Sequence, residues 1–378
     1  MDFSFTEEQQ EVAALARRIL EDKVTHESLT RLEGSGHPRF DRALYRELAK
    51  ANLLGIGLPE SVGGSGLGLL AQSLVLQEIG RTLAPVPYLA SIAMAADVLA
   101  THGSAEQIDT WVRPAIDGEV VLTAALAEPW HRDREHPTTM ATPVAGGWRL
   151  DGTKTAVPAA TIADALVITA TVADGGVGAF IVGPDAAGLT IAAQDTTNHE
   201  PYGYVSLQGV VVGAGARVGD DSTGTEVVRR LIERATIGLC ATQLGVTEKA
   251  LVATADYTKQ RVQFDRPIAT FQAVGHRMAD AYIDVEGIRL TLWQAIYSVE
   301  SGAPCDVTAV DVQTAKFWAS EGGHRIAHAV VHLHGGMGIA LEYFIHRYFS
   351  FAKQIEFSLG SANEQALRIG AYFAANPV

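Results

Sequence analysis

The sequence predicts a mainly α-helical chain with a β-rich unit at its centre. Three observations carry this reading. Residues 1 to about 118 keep a helical spacing of apolar side chains, residues 119–222 break into short β-prone runs, and from about 223 the helical spacing returns. At 378 residues the chain exceeds one ordinary core. It is expected to divide into a helical domain 1–118, a β domain 119–222 and a helical bundle 223–378.

The first zone opens on Thr6 followed by Gln9, the pattern of a capping box. Val12, Leu15, Ala16, Ile19 and Leu20 follow at helical spacing. LPESVGGSGLG (58–68) interrupts the helices; no strand precedes its glycines and their spacing is not GxGxxG, so it reads as a tight turn rather than a dinucleotide loop. In the middle zone VLTAALAEP, GWRLDGTKTAV, DALVITATV, GAFIVG and YVSLQGVVV are separated by Gly, Asp and Pro, which predicts a small barrel or sandwich rather than βαβ units. Two long helical tracts dominate the last zone. One runs from Gly224 without proline past Gln260; the other is closed by Gly335 and Gly336. A bundle of long helices also offers faces for self-association.

Hydrophobic residues make up 47% and charged residues 19%, the mix of a folded globular protein. The net charge of -14 disfavours nucleic acid as a partner. No run reaches about 18 apolar residues, so no membrane span is expected. The acidic start MDFSFTEEQQ has no basic-then-apolar leader, and a cytoplasmic location is expected. Cys240 and Cys305 are expected to be buried free thiols. His324, His328 and His332 recur at i, i+4, i+8, a spacing that could face a metal. No carboxylate base stands between them, and no metal is expected.

RVQFDRPIATFQAVGHRMAD (261–280) resembles the acyl-CoA dehydrogenase family. The family's Arg-x-x-Phe-Gly pattern is met by Arg261 and Phe264, with Asp265 in place of the usual glycine, and is followed by Phe271 and Gln272. VVHLHGGMG (330–338) resembles a second family signature, ALAEP (125–129) echoes a Thr-Glu-Pro strand, and LPESVGGSGL matches an N-terminal turn. HRYFSFAKQIEFSLG (346–360) and GRTLAPVPYLAS (80–91) resemble actinobacterial subunits of heteromeric steroid side-chain acyl-CoA dehydrogenases.

The resemblance implies an FAD-dependent α,β-dehydrogenation of a CoA thioester, passing electrons to an acceptor, in a homo- or hetero-oligomer that could be a dimer, a tetramer or α2β2. It implies that Arg261, a permanently charged fork suited to phosphate, reaches the pyrophosphate of an FAD held mainly by a neighbouring subunit. Gln263 and Gln272 would bond the cofactor's polar edges, Phe264 and Phe271 would wall it, and His332, Gly335 and Gly336 would meet its adenosine end.

The family's catalytic carboxylate falls elsewhere. FSLGSA (357–362) puts Leu359 at one family position for the base, and Ala235 stands at the other. Glu233 is two residues from Ala235, roughly 200° around a helix, and otherwise reads as a solvated surface carboxylate. After Glu128 and Pro129 the family has a Gly/Ser-rich loop; here it is WHRDREHP. After Lys154 the family has a Trp-x-Thr run lining the flavin; here stand Ala156, Val157 and Pro158, the last with no N–H to donate. The half-site lent to a neighbour is thus kept and the half-site for the chain's own flavin ring is eroded, as suits a subunit that works with a catalytic partner. The alternatives are a self-sufficient homo-oligomeric dehydrogenase using Glu233 and a non-catalytic structural subunit.

Overall fold

The computed structural model describes residues 5–172 and 175–377. Residues 1–4 of the acidic N-terminal stretch lie outside them. The chain begins with α1 (Glu7–Lys23), α2 (His26–Glu33), α3 (Arg42–Lys50) and α4 (Gly68–Thr82). The Thr6 hydroxyl accepts from the Gln9 N–H at 3.2 Å and the Gln9 side chain accepts from the Thr6 N–H at 3.0 Å, so the predicted capping box starts α1. A π-helical stretch, Leu89–Ala96, buries every one of its residues but Leu89 and leads into α5 (Asp97–His102), α6 (Ala105–Gln107) and α7 (Arg113–Ile116).

The strands are β1 (Leu122–Ala125), β2 (Met140–Val144), β3 (Gly147–Val157), β4 (Ala165–Val172), β5 (Val177–Val182), β6 (Leu189–Gln194), β7 (Tyr202–Gly213) and β8 (Arg217–Val218). They bond into one eight-stranded mixed sheet in the order β6-β7-β3-β2-β4-β5-β8, with β1 parallel to β4. Phe180, Leu150, Ile168, Val205 and Leu207 fill its core. Helices return with α8 (Gly224–Gln260), then the short hairpin of β9 (Val262–Gln263) and β10 (Arg266–Pro267), then α9 (Gln272–Glu300), α10 (Cys305–His334), α11 (Ile345–Phe357) and α12 (Ala362–Ala375).

By compactness the described residues form two units. The first draws on Met1–Ser28, Ser73–Ala84 and Thr236–Val378, and the second on Leu29–Gln72 and Pro85–Ala235. In the first unit α4 and α8 pack backbone to backbone. A Cβ on Gly245 would stand 1.8 Å from the Gln77 carbonyl oxygen, and one on Gly80 2.1 Å from that of Thr242. Beside this contact Arg17 forks onto buried Glu78 at 2.6 and 3.0 Å, and Glu248 accepts from Gln77 at 2.7 Å and pairs with Arg289 at 2.6 Å. Cys240 is buried and free as expected; Cys305 is free but exposed, because it is the first residue of α10, where the helix starts at the surface. No helix of the described residues is long and apolar enough to cross a membrane.

Candidate cofactor and catalytic site

Arg261 leaves the end of α8, its N–H still bonded to the Tyr257 carbonyl at 2.8 Å. The hairpin beyond it turns on Phe264 (φ 52) and Asp265 (φ 60), two residues in the left-handed region, as a type I′ turn requires. Glycine or a short polar residue is preferred there, which explains why Asp265 can stand where the family has glycine. The turn lifts Phe264 into solvent, 86% exposed. Its ring meets Phe271 edge-on at 6.2 Å, and the Arg266 guanidinium lies 4.1 Å from the Phe271 ring centre. Arg261 itself is exposed and makes no ion pair with any described residue. The Gln263 side chain donates to the carbonyl of Val262, and the Gln272 side chain stands 3.4 Å from His276.

The second signature lies beside this hairpin. His334, buried at the end of α10, stacks on Tyr257 at 4.3 Å, and the Tyr257 hydroxyl donates to the His334 carbonyl at 3.4 Å. Tyr257 is one turn before Arg261, and His334 lies between His332 and Gly335, so the stack brings the two groups together. Nothing local in the sequence pairs the two rings, because only the fold makes them neighbours. His332 is exposed; Gly335 caps α10 at φ 59. A Cβ on Gly336 would meet nothing within 4 Å, so packing within the chain does not demand glycine there. His324, by contrast, pairs with Glu356 at 3.2 Å and lies 2.9 Å from Lys353. Among the described residues no three His, Cys, Asp or Glu side chains group to hold a metal.

Of the candidate positions for the base, Glu233 and Ala235 belong to the second unit and Leu359 to the first. Leu359 sits at φ 55 in a turn fixed from beneath. Fully buried Lys316 donates to the carbonyls of Ile355 (3.0 Å), Glu356 (3.3 Å) and Gly360 (3.0 Å) and to the Ser320 hydroxyl (2.6 Å). The turn is tightly held, yet it presents no proton acceptor. Ala235 is buried. Glu233 is not the solvated carboxylate that its sequence context allows, for its side chain is only 15% exposed. Burial raises its carboxyl above the ordinary range, against the pull of Arg234, Arg229 and Arg230. Arg234 stands 3.7 Å from it and also reaches buried Asp97 at 3.2 Å, which Arg230 grips at 2.7 and 3.1 Å.

In the second unit the loops expected near the flavin ring are closed by their own hydrogen bonds. Glu128 accepts from the N–H and hydroxyl of Thr138 and of Thr139 at 2.6–2.8 Å and from Lys154 at 2.8 Å. Between these anchors the WHRDREHP loop holds Trp130 wholly in solvent at φ 62. The Ala156 N–H donates to the Gln194 side chain at 2.7 Å, and the Thr123 hydroxyl donates to the Pro158 carbonyl.

Two family models match the chain, the acyl-CoA dehydrogenase N-terminal domain over residues 6–119 and the C-terminal domain over 222–373. Acyl-CoA dehydrogenase FadE27 of Mycobacterium tuberculosis is 42% identical over the full length of both chains. The crystal structure of the ChsE4-ChsE5 complex of the same organism superposes with a TM-score of 0.94 at 42% identity, covering all of both chains. A variant of the Tcur3481-Tcur3483 steroid ACAD superposes at 0.91, also at 42%, over 98% of each. The chain therefore belongs to the acyl-CoA dehydrogenase family, whose members are oxidoreductases acting on CH–CH groups.

Proposed function

We propose that this chain is one subunit of an FAD-dependent acyl-CoA dehydrogenase and works with a catalytic partner chain on a CoA thioester. The observation that carries the reading is the contrast between two sets of groups. Arg261, Phe264 and His332 stand in solvent, and Arg261 has no ion-pair partner among the described residues. The groups that should face the chain's own flavin ring are already spent on each other.

The first set fits FAD. Arg261 would hold its pyrophosphate, Gln263 and Gln272 its polar edges, Phe264 and Phe271 an apolar wall, and His332 with the open backbone at Gly335 and Gly336 its adenosine end. When bound, the flavin supplies the hydride acceptor for the substrate's β hydrogen. The α proton needs a carboxylate, and neither Leu359 nor Ala235 can take it. In this reading the partner supplies the base and most of the flavin's contacts. Two of the relatives at 42% identity are complexes of two named chains, and one is called a steroid ACAD. This supports a mixed assembly and a steroid side chain as the acyl group. Among the described residues, every exposed large apolar side chain except Trp130, Met140, Tyr204 and Val211 is in the first unit, which supports association through that unit.

One observation favours the second reading, in which Glu233 is the base: burial raises its carboxyl. The flavin-to-chain ratio of the native complex tests the proposal. One FAD for each pair of unlike chains is expected, and Arg261→Ala should weaken its retention roughly 10- to 100-fold, the loss of a charged hydrogen bond. One FAD per chain, unaffected by Arg261→Ala, would overturn it.

A further inference from the structure

We infer that Arg266 is a second phosphate-binding residue and that, together with Arg261, it selects a cofactor joined by a pyrophosphate over one that carries a single phosphate. The pairing of the hairpin supplies the first step. Gln263 stands opposite Arg266, and the Ile268 N–H donates to the Arg261 carbonyl at 2.8 Å. Side chains alternate between the two faces of a strand, so Arg261, Gln263 and Arg266 project from the same face. Arg261 and Arg266 are diagonal neighbours across the ladder, rooted roughly 7–8 Å apart. Both are exposed. Among the described residues neither guanidinium makes a hydrogen bond or an ion pair, and Asp265 on the turn between them pairs with neither. Two like charges this close repel each other, and a ligand with a negative charge for each relieves the repulsion.

Arg266 is also held in place. Its guanidinium lies 4.1 Å from the centre of the Phe271 ring, and Phe264 meets the same ring edge-on at 6.2 Å. A guanidinium stacked on a ring keeps its N–H edge free for an oxygen, and its planar fork is already oriented. The stack covers one face of Phe271 and leaves the other for the cofactor.

The inference rests on the reading of this hairpin as part of an FAD site. Within that reading the two arginines divide the pyrophosphate, whose phosphoryl groups carry one negative charge each. Arg261 is one turn beyond Tyr257, which stacks on His334 beside Gly335, so the fold ties Arg261 to the adenosine end. It takes the adenosine-side phosphoryl group. Arg266 stands across the ladder, next to the tip of the hairpin, and takes the flavin-side group. AMP offers a phosphate to the first arginine alone, whereas ADP and FAD satisfy both.

The native assembly tests this by equilibrium dialysis against FAD, with ADP and AMP titrated in as competitors. Arg266→Gln should weaken FAD binding roughly 10- to 100-fold, the loss of a charged hydrogen bond. It should weaken ADP by a similar factor and leave AMP unchanged, while Arg261→Ala weakens all three. Arg266→Lys should restore only part of the loss, because it returns the charge without the fork. Unchanged FAD binding in Arg266→Gln, with Arg261→Ala still weakened, would overturn the inference and leave the cofactor reading standing. No change in either variant would overturn both. An equal loss of ADP and AMP in Arg266→Gln would make Arg266 a prop for Phe271 rather than a phosphate ligand, and would also overturn it.

Discussion

Glu128 shows how one residue can fix a loop. Burial alone would raise its carboxyl, but the charge and hydrogen bond of Lys154 and the bonds from Thr138 and Thr139 outweigh it and hold the group down to about 2. Lys154 bears the cost. Burial pulls its ammonium down to about 8, against the attraction of Glu128, so the pair is still charged at neutral pH. A carboxyl held below its unfolded value stabilises the fold fully above about pH 4.5, and that stability drains away as pH falls towards 2. The contribution is about 3 kcal/mol, taking 1.36 kcal/mol for each unit. Urea midpoints measured from pH 6 down to 2.5 should therefore fall steeply in the native chain and less steeply in Glu128→Gln. Equal slopes would show that this carboxylate is not what acid attacks. Glu128→Gln should also be less stable at pH 7, because it leaves Lys154 buried without its counter-charge.

At the scale of the element, the helices and strands follow from periodicity. The capping box at Thr6, the proline-free run that becomes α8, and the glycines that close α10 were all legible, because each is local physics written in adjacent residues. Two strands were not. β2 (MATPV) carries a proline and β6 (LTIAAQ) alternates only weakly, and their pairing with β3 and β7 makes them strands. Contacts across long separations were equally invisible, such as Gln194 on Ala156 or Arg230 on Asp97. The close approach of α4 and α8 is of this second kind, for nothing local marks Gly80 or Gly245 as special. Gly245→Ala would drive a methyl group into the Gln77 carbonyl and force the helices apart. A destabilisation at the upper end of the usual overpacking range, about 3 kcal/mol, is expected in denaturant titration, whereas Ala at Gly275, where a Cβ meets nothing, should cost far less. If the two substitutions cost the same, the helices do not touch as described.

For the whole molecule the question is whether this chain performs chemistry or enables it. The strongest case for chemistry is Glu233, which is buried and has its carboxyl raised as a general base requires. The same burial has another cause, since Glu233 and Asp97 share Arg234 while Arg230 also grips Asp97, and this charge cluster ties α8 to α5 within the second unit. Such a cluster is explained by packing and needs no substrate. Neither family position offers a proton acceptor: Leu359 stands on a turn that Lys316 holds in place, and Ala235 is buried. Glu233→Gln should therefore leave thioester dehydrogenation by the native assembly within a few fold. A general base contributes typically 10²–10⁴-fold, so the outcomes do not overlap. Turnover should be measured with the flavin content checked in the same sample, because a broken cluster could loosen the fold and shed cofactor without touching the chemistry. A hundredfold drop with FAD retained would make Glu233 the base and this chain a catalyst in its own right.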